Sequence, residues 1–423
     1  IKSGKTPEDR SWIGESDLIQ WYWKEVVRSG AQGRQRDSLL RRIASSNADM
    51  GRFESRETEL STEDLETINL SPEMLKTDPD RGTVFFTHDL IADWARLQVL
   101  FSHAEDFASY CEQRFANPHW HTALRLYGVS LLEQDTGGKK WISAITNNPQ
   151  AKDIFLESLI YAGNLMVLLD RVWSELIKDE GALLLEFLKR FQHVASIPNP
   201  NYVEMAAQLN ATMEEARTIE RIPLWMYWLP ILKALLSHKE DVVRVAPIQA
   251  ARVVRSWLRH SPEGCPGRGE AAKLALALAR QAFRCRNSYG SRVKEVSLPY
   301  EALLEAYPDA PDAVQELLLK LAAKVVPTEE DADAFEDYDA PGTVRHPASV
   351  VFGGETVVQE PWEDGPLYRV DETFRSACFD TDALATLMRQ APELAREIIL
   401  ALLIERPRTS QEPAFTSHPM LPE

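Results

Sequence analysis

Between Ala104 and about Val326 the apolar residues return at a helical period. Only short turn-forming runs interrupt them: Asn117-Pro118, Thr136-Gly137-Gly138, Asn147-Asn148-Pro149, Pro198-Asn199-Pro200, Ser261-Pro262 and the stretch from Pro308 to Pro311. A helix does not continue through proline, and an amphipathic helix must cover its apolar stripe with a neighbour. The expected fold class is therefore mainly α, with helices of moderate length paired and stacked into an α-α superhelical region.

Leu224 to Leu258 is the clearest unit of that array. Pro230 sits inside its first helix, Asp241 opens the second and Val243-Arg244 follows, a pattern that resembles a HEAT repeat. Upstream, Leu18, Trp21, Tyr22 and Val26 share one helical face, and Leu39, Leu40, Ile43 and Ala44 share another, with Gly30 and Gly33 between them. Ser61-x-x-Asp64 starts a third helix in the manner of a capping box and buries Leu65 and Ile68. Met74 to Lys76 and Thr83 to Phe86 then flank Thr77-Asp78-Pro79-Asp80-Arg81-Gly82, a hairpin tip. Three helices followed by a hairpin make a winged helix.

That hairpin runs straight into another helix through Val84-Phe85-Phe86-Thr87-His88-Asp89-Leu90-Ile91-Ala92-Asp93-Trp94. Thr87 is expected as its N-cap, so a histidine and the free backbone N–H groups share one end, which suits an anion. Thr87-His88-Asp89-Leu90 resembles the Met-His-Asp motif closing the winged helix of STAND nucleotide switches, the NACHT and NB-ARC relatives. The resemblance covers roughly residues 12 to 133, including Phe115 to His121 and Arg125-Leu126-Tyr127-Gly128, and points to bacterial antiviral sensors of that group. It implies that His88, with Thr87 beside it, contacts the β-phosphate of ADP. The nucleotide, ADP or ATP with Mg, would be held mainly by an ATPase module outside this chain. It also implies a foreign phage protein as the sensed partner, homo-oligomers on activation, and a cytoplasmic location.

Ser3-Gly4-Lys5-Thr6 looks like the tail of a phosphate loop but lacks the preceding strand and glycine, and Pro7 follows at once. No nucleophile elbow, HExxH or dinucleotide glycine pattern occurs, so no catalytic site is visible, while the resemblance makes the parent protein an ATPase. Since the chain begins with Ile, it is expected to be a piece of something longer. His119-x-His121 has no third ligand and reads as packing. Cys111, Cys265, Cys285 and Cys378 lie far apart without CxxC spacing, which fits a reducing compartment. Ile222 to Leu236 is shorter than a bilayer span of ~20 residues and carries Pro223, Pro230 and Lys233, so it is core, as are Trp21, Trp23, Trp225 and Trp228.

Net charge is −17, and Glu57, Glu59, Glu63, Asp64 and Glu66 surround the helix that would enter a DNA groove, which argues against nucleic acid. Charge is uneven, however: residues 244 to 294 hold eleven cations and two acids. Such a belt either docks an acidic partner or the acidic part of the same chain, or is a solvated face whose arginines pair with neighbouring helices. Glu329 to Asp339 is an acidic linker, and Ser349 to Phe352 with Glu355 to Val358 is a β-hairpin about Gly353-Gly354. Asp380 to Gln390 and Pro392 to Glu405 form a last helix pair, and an extended tail follows Pro407. The expected domains are thus a winged helix over 1–104, a helical-repeat region over 105–328, linker and hairpin over 329–374, and a helix pair with tail over 375–423. A stand-alone winged-helix and HEAT-like scaffold or transcription adaptor, independent of nucleotide, is the rival expectation.

Overall fold

A computed structural model describes residues 14–135, 137–208, 212, 220–284, 293–322, 348–352, 355–359 and 381–404. Ser3 to Thr6, the acidic stretch 329–339, Gly353-Gly354, Cys285, Cys378 and the tail after Pro407 lie outside the described residues. The protein is mainly α with small antiparallel sheets, and its chain divides into two compact units, Ile1–Lys178 with His193–Ala195, and Asp179–Gln192 with Ser196–Glu423.

The first unit opens with α1 (Glu15–Tyr22), which widens into a π-helical turn over Trp23–Val27, and α2 (Gly33–Asp49). Gly33 is needed where it stands: a Cβ there would come within 2.1 Å of the Arg28 carbonyl oxygen at the end of the π turn. β1 (Glu54–Arg56) precedes α3 (Thr62–Asn69), and β2 (Leu75–Asp78) and β3 (Thr83–Phe86) follow. The capping box of α3 is complete. Ser61 Oγ accepts from the Asp64 N–H at 3.2 Å, and Asp64 Oδ2 accepts from the Ser61 N–H at 2.9 Å.

The three strands pair in the order β1-β3-β2, all antiparallel, with Ser55 opposite Val84 and Thr77 opposite the same residue from the other side. β1 is an addition to the expected hairpin. Glu54-Ser55-Arg56 has no apolar alternation to announce it, only a buried Ser55 whose hydroxyl donates to Asn47 Oδ1. The core beneath this sheet joins Trp23, Leu40, Ile43, Ile68, Val84 and Ile91, so α1, α2, α3, the sheet and α4 (Asp89–Ser102) close on one another.

After α5 (Phe107–Cys111), α6 (Pro118–Gln134) packs on both α4 and α8 (Lys152–Tyr161), with α7 (Lys139–Asn147) alongside and α9 (Leu165–Leu176) following. The boundary expected near residue 104 therefore lies inside the first unit. His119 and His121 serve packing: His119 meets Phe53 edge to face, His121 Nε2 is 3.2 Å from the Phe115 carbonyl, and the buried Trp120 donates to Asp49.

α10 (Lys178–Val194) is interrupted at its start, where Asp179, Glu180 and Gly181 all take positive φ. The second unit continues with β4 (Ser196–Pro198), α11 (Pro200–Gln208) and β5 (Arg221–Pro223), β4 and β5 forming an antiparallel ribbon. That ribbon was not expected inside a helical array; each strand has three residues and ends on a proline. Next come α12 (Trp225–Ser237), α13 (Lys239–Val245) and α14 (Pro247–His260). The unit expected over 224–258 thus has three helices instead of two, and its second opens at Lys239, not Asp241. Pro247 is the reason: it has no N–H to give and forces Ala246 out of helical geometry, to φ −137° and ψ 37°.

α15 (Arg268–Arg284) and α16 (Val293–Glu305) pack on α14 and on each other, and α17 (Pro311–Ala322) packs on α15, over Ala250, Val254, Leu274, Leu278, Leu303 and Leu317. Trp228 and Trp257 stack at 6.3 Å within this core, but Trp225 is 66% exposed, so the expectation of a buried Trp225 fails. It occupies the first turn of α12, where the apolar stripe has not yet reached a neighbour. β6 (Ala348–Phe352) and β7 (Glu355–Gln359) form the expected hairpin, and α18 (Thr381–Gln390) and α19 (Pro392–Ile404) the expected helix pair, with Leu387 and Ile398 buried. Among the described residues no helix is long and apolar enough to cross a membrane.

Candidate functional site

His88 stands where β3 gives way to α4. Thr87 is still held by the sheet, its N–H donating to the Met74 carbonyl at 3.0 Å and its hydroxyl to the Glu73 carbonyl at 2.7 Å. The chain therefore leaves extended geometry one residue later than expected, and His88, with φ −150° and ψ 133°, is the N-cap in place of Thr87. Its Nδ1 accepts from the Leu90 N–H at 3.2 Å. An accepting Nδ1 carries no proton, so the ring's proton is on Nε2, and the exposed side chain offers that N–H outward.

The structure does not bring Thr87 and His88 together as a ligand pair, because the Thr87 hydroxyl proton is already committed to Glu73. Asp89 and Leu90 beside the ring are exposed, Leu90 by 45%. One turn on, Asp93 pairs with Arg96 at 2.5 Å; burial lifts its carboxyl above the ordinary range, and Arg96 acts against that lift. Trp94 meets Tyr22 edge-on at 5.1 Å, anchoring the helix to the core below it. The histidine thus rides on a fixed mount.

Three of the acids around α3 are engaged by α2 and the loop after it. Asp64 accepts from Arg42 at 2.5 Å, Glu59 pairs with Arg52, and Glu63 accepts from Gln35. Burial pushes the Cys111 thiol up to about 12, which makes it an inert core residue.

Part of the basic belt resolves into pairs, while Arg252, Lys273 and Arg280 stand outside them. Arg244 holds Asp241 at 2.8 Å, Arg255 holds Glu301 at 2.6 Å, and Arg259 lies 3.5 Å from Glu220. Arg268, only 4% exposed, donates to both carboxylate oxygens of Asp309 and to the Leu258 and Ser261 carbonyls. Arg252 has no hydrogen-bond or ion-pair partner among the described residues. The side chains of Arg284, Arg286, Arg292 and Lys294 lie outside them.

Counting charge over fifty residues hides what spacing would have revealed. Arg252, Arg255, Ser256 and Arg259 fall at i, i+3, i+4 and i+7, one face of α14, while Val253, Val254, Trp257 and Leu258 take the buried face. That polar face borders a cavity of about 330 Å³. Compared with models of known protein families the chain matches none, and a search of curated proteins finds no match.

Proposed function

We propose that this chain is the winged-helix and helical-array part of a nucleotide switch of the STAND type, in which His88 donates from Nε2 to the β-phosphate of ADP held by an ATPase module outside the chain. The observation that carries the reading is the capping bond: with Nδ1 engaged by Leu90, the ring presents one N–H at the mouth of a 14-residue helix whose partial positive end favours an anion. Helices α1 to α3 with an antiparallel sheet in the order β1-β3-β2 support the winged helix as its carrier. Thr87 acts by pinning the strand behind the histidine, not by touching phosphate.

On this reading loss of the imidazole bond frees ADP for exchange with ATP and Mg, the helical array receives a foreign protein, and the activated form assembles into homo-oligomers for antiviral defence in the cytoplasm. A hydrogen bond to a charged group contributes ~1.5–3 kcal/mol, which is about ten- to hundredfold in retained nucleotide. The test is nucleotide extraction from the protein purified with its ATPase module. His88→Ala should lose bound ADP, and His88→Gln, which keeps a donor, should restore part of it. Equal ADP content in wild type and His88→Ala overturns the assignment.

One observation favours the rival, a nucleotide-free scaffold: the exposed Asp89 carboxylate follows His88 directly and repels phosphate. Asp89→Asn separates the two. It tightens ADP retention if the phosphate sits at the ring and leaves it unchanged if nothing binds there.

A further inference from the structure

The cavity beside α14 is walled by residues of the second unit alone, and its polar groups are overwhelmingly donors. Among the described residues Arg221, Arg252, Arg255 and Arg259 face it with one acid, Glu220. Arg221 is fixed from behind, its Nη2 donating to the Ser196 carbonyl at 2.6 Å and its Nε to Ser196 Oγ at 3.3 Å. Arg255 uses Nη1 on Glu301, yet its Nε is buried without a hydrogen bond, as is Nε2 of Gln192. His260 gives Nδ1–H to the Ser256 carbonyl at 2.8 Å, and its Nε2 lies 3.2 Å from Glu220 Oε1, so the ring is held between its own helix and that acid. Trp228 and Leu298 supply the apolar wall.

Buried donors without acceptors are uncommon in folded proteins, because each forfeits its hydration for nothing. Arg255 and Gln192 both line the hollow together with the unpaired Arg252. A ligand that brings acceptors and negative charge would answer the excess of guanidinium groups there. Guanidinium forks match the tetrahedral oxygens of phosphate in pairs, which distinguishes this lining from a set of lysines. A volume of about 330 Å³ suits one small molecule and is too small for several residues of a protein segment.

We infer that this cavity binds a compact phosphate-bearing metabolite, a phosphomonoester or diphosphate, with Arg252 and Arg255 as its principal ligands. The site is separate in residues from His88 and stands whether or not the nucleotide reading does. Calorimetric titration of the chain with inorganic pyrophosphate tests it. Saturable binding is expected, and Arg252→Gln should weaken it about tenfold or more, the loss of one charge-assisted bond. Arg252→Lys, which keeps charge and loses the fork, should fall between the two. His88→Ala, in the other unit, should leave the titration unchanged. Orthophosphate in a parallel titration tells a diphosphate site, with the weaker response, from a monophosphate site, with an equal one. The inference is overturned if pyrophosphate shows no saturation up to about 10 mM, below the affinity of ordinary millimolar ligands, or if Arg252→Gln binds within twofold of wild type.

Discussion

Two helices of this protein carry arginines at helical spacing and use them in opposite ways. On α2, Arg36 reaches back to the carbonyls of Val26, Val27 and Ser29 at 2.7–3.0 Å, Arg41 takes Asp37 with two nitrogens, and Arg42 takes Asp64. Asp37 also receives Trp23 Nε1 and Arg28 Nε, so one carboxylate ties the π turn to α2. On α14 the same residue type faces a hollow: Arg255 and Arg259 each have an acid, Glu301 at 2.6 Å and Glu220 at 3.5 Å, and Arg252 has none among the described residues. Positive charge is comparable in the two places. What differs is whether acceptors stand within reach, and that decides between a clamp and a ligand-ready surface.

The sharpest test of the distinction is Arg268, the clamp beside that surface. Arg268→Ala should destabilise the fold by about 3–5 kcal/mol, because it leaves the Asp309 carboxylate and two carbonyls without donors in a site the side chain had sealed. Denaturant midpoints measure it. A loss near zero would mean that burial alone does not make an arginine structural here. Arg36→Ala is the counterpart in the first unit, where three carbonyls lose a donor at a partly solvated loop, and about 1–2 kcal/mol is expected.

How much of this was readable beforehand depended on whether a residue's role is local. The capping box of α3, the hairpin tip at Gly82 and the helix pair after Thr381 follow from near neighbours and are legible in sequence. β1 is not, because its only warrant is the partner strand β3, twenty-nine residues on. The N-cap is another such case: Thr87 is the better capping residue by type, but Met74 and Glu73, across the hairpin, hold it in the sheet. The split of α13 from α14 is legible in Pro247, although the spacing of apolar residues across it matches an uninterrupted HEAT-like helix. Arg252 belongs to the basic belt by charge, and only three-dimensional placement separates it from Arg255 and Arg268.

Glu133 mirrors Arg252: it is a partly buried acid without a cation. Gly14 leaves room for it, since a Cβ there would fall 1.8 Å from Glu133 Oε1, and Oε2 accepts from the Ser16 N–H at 3.3 Å. Burial, and then Asp17 and Glu15 nearby, push its carboxyl up to about 7 from 4.5, while the Ser16 N–H pulls the other way. The folded state therefore holds this proton more tightly than the unfolded chain does. Its contribution is fully present below about pH 4.5 and is lost as pH rises through about 7. Discounted for the solvent that reaches the carboxyl, the effect is about 1 kcal/mol. Glu133→Gln should be more stable than wild type at pH 8, and the two melting curves should converge toward pH 5. A constant offset across that range would mean that the carboxyl titrates alike in both states.

Arg252→Gln should have the smallest effect on the fold. The side chain is half-buried on α14 and gives no hydrogen bond to any described residue, so its removal breaks nothing that the folded chain had made. It also takes one positive charge from a face shared with Arg255 and Arg259, three and seven residues along. These considerations place the change in stability within about 0.5 kcal/mol, the range of surface substitutions that touch no special feature. The denaturant midpoint should match wild type while that of Arg268→Ala collapses. A loss above ~1 kcal/mol for Arg252→Gln would make it a clamp like Arg36, because only an interaction formed on folding produces such a loss.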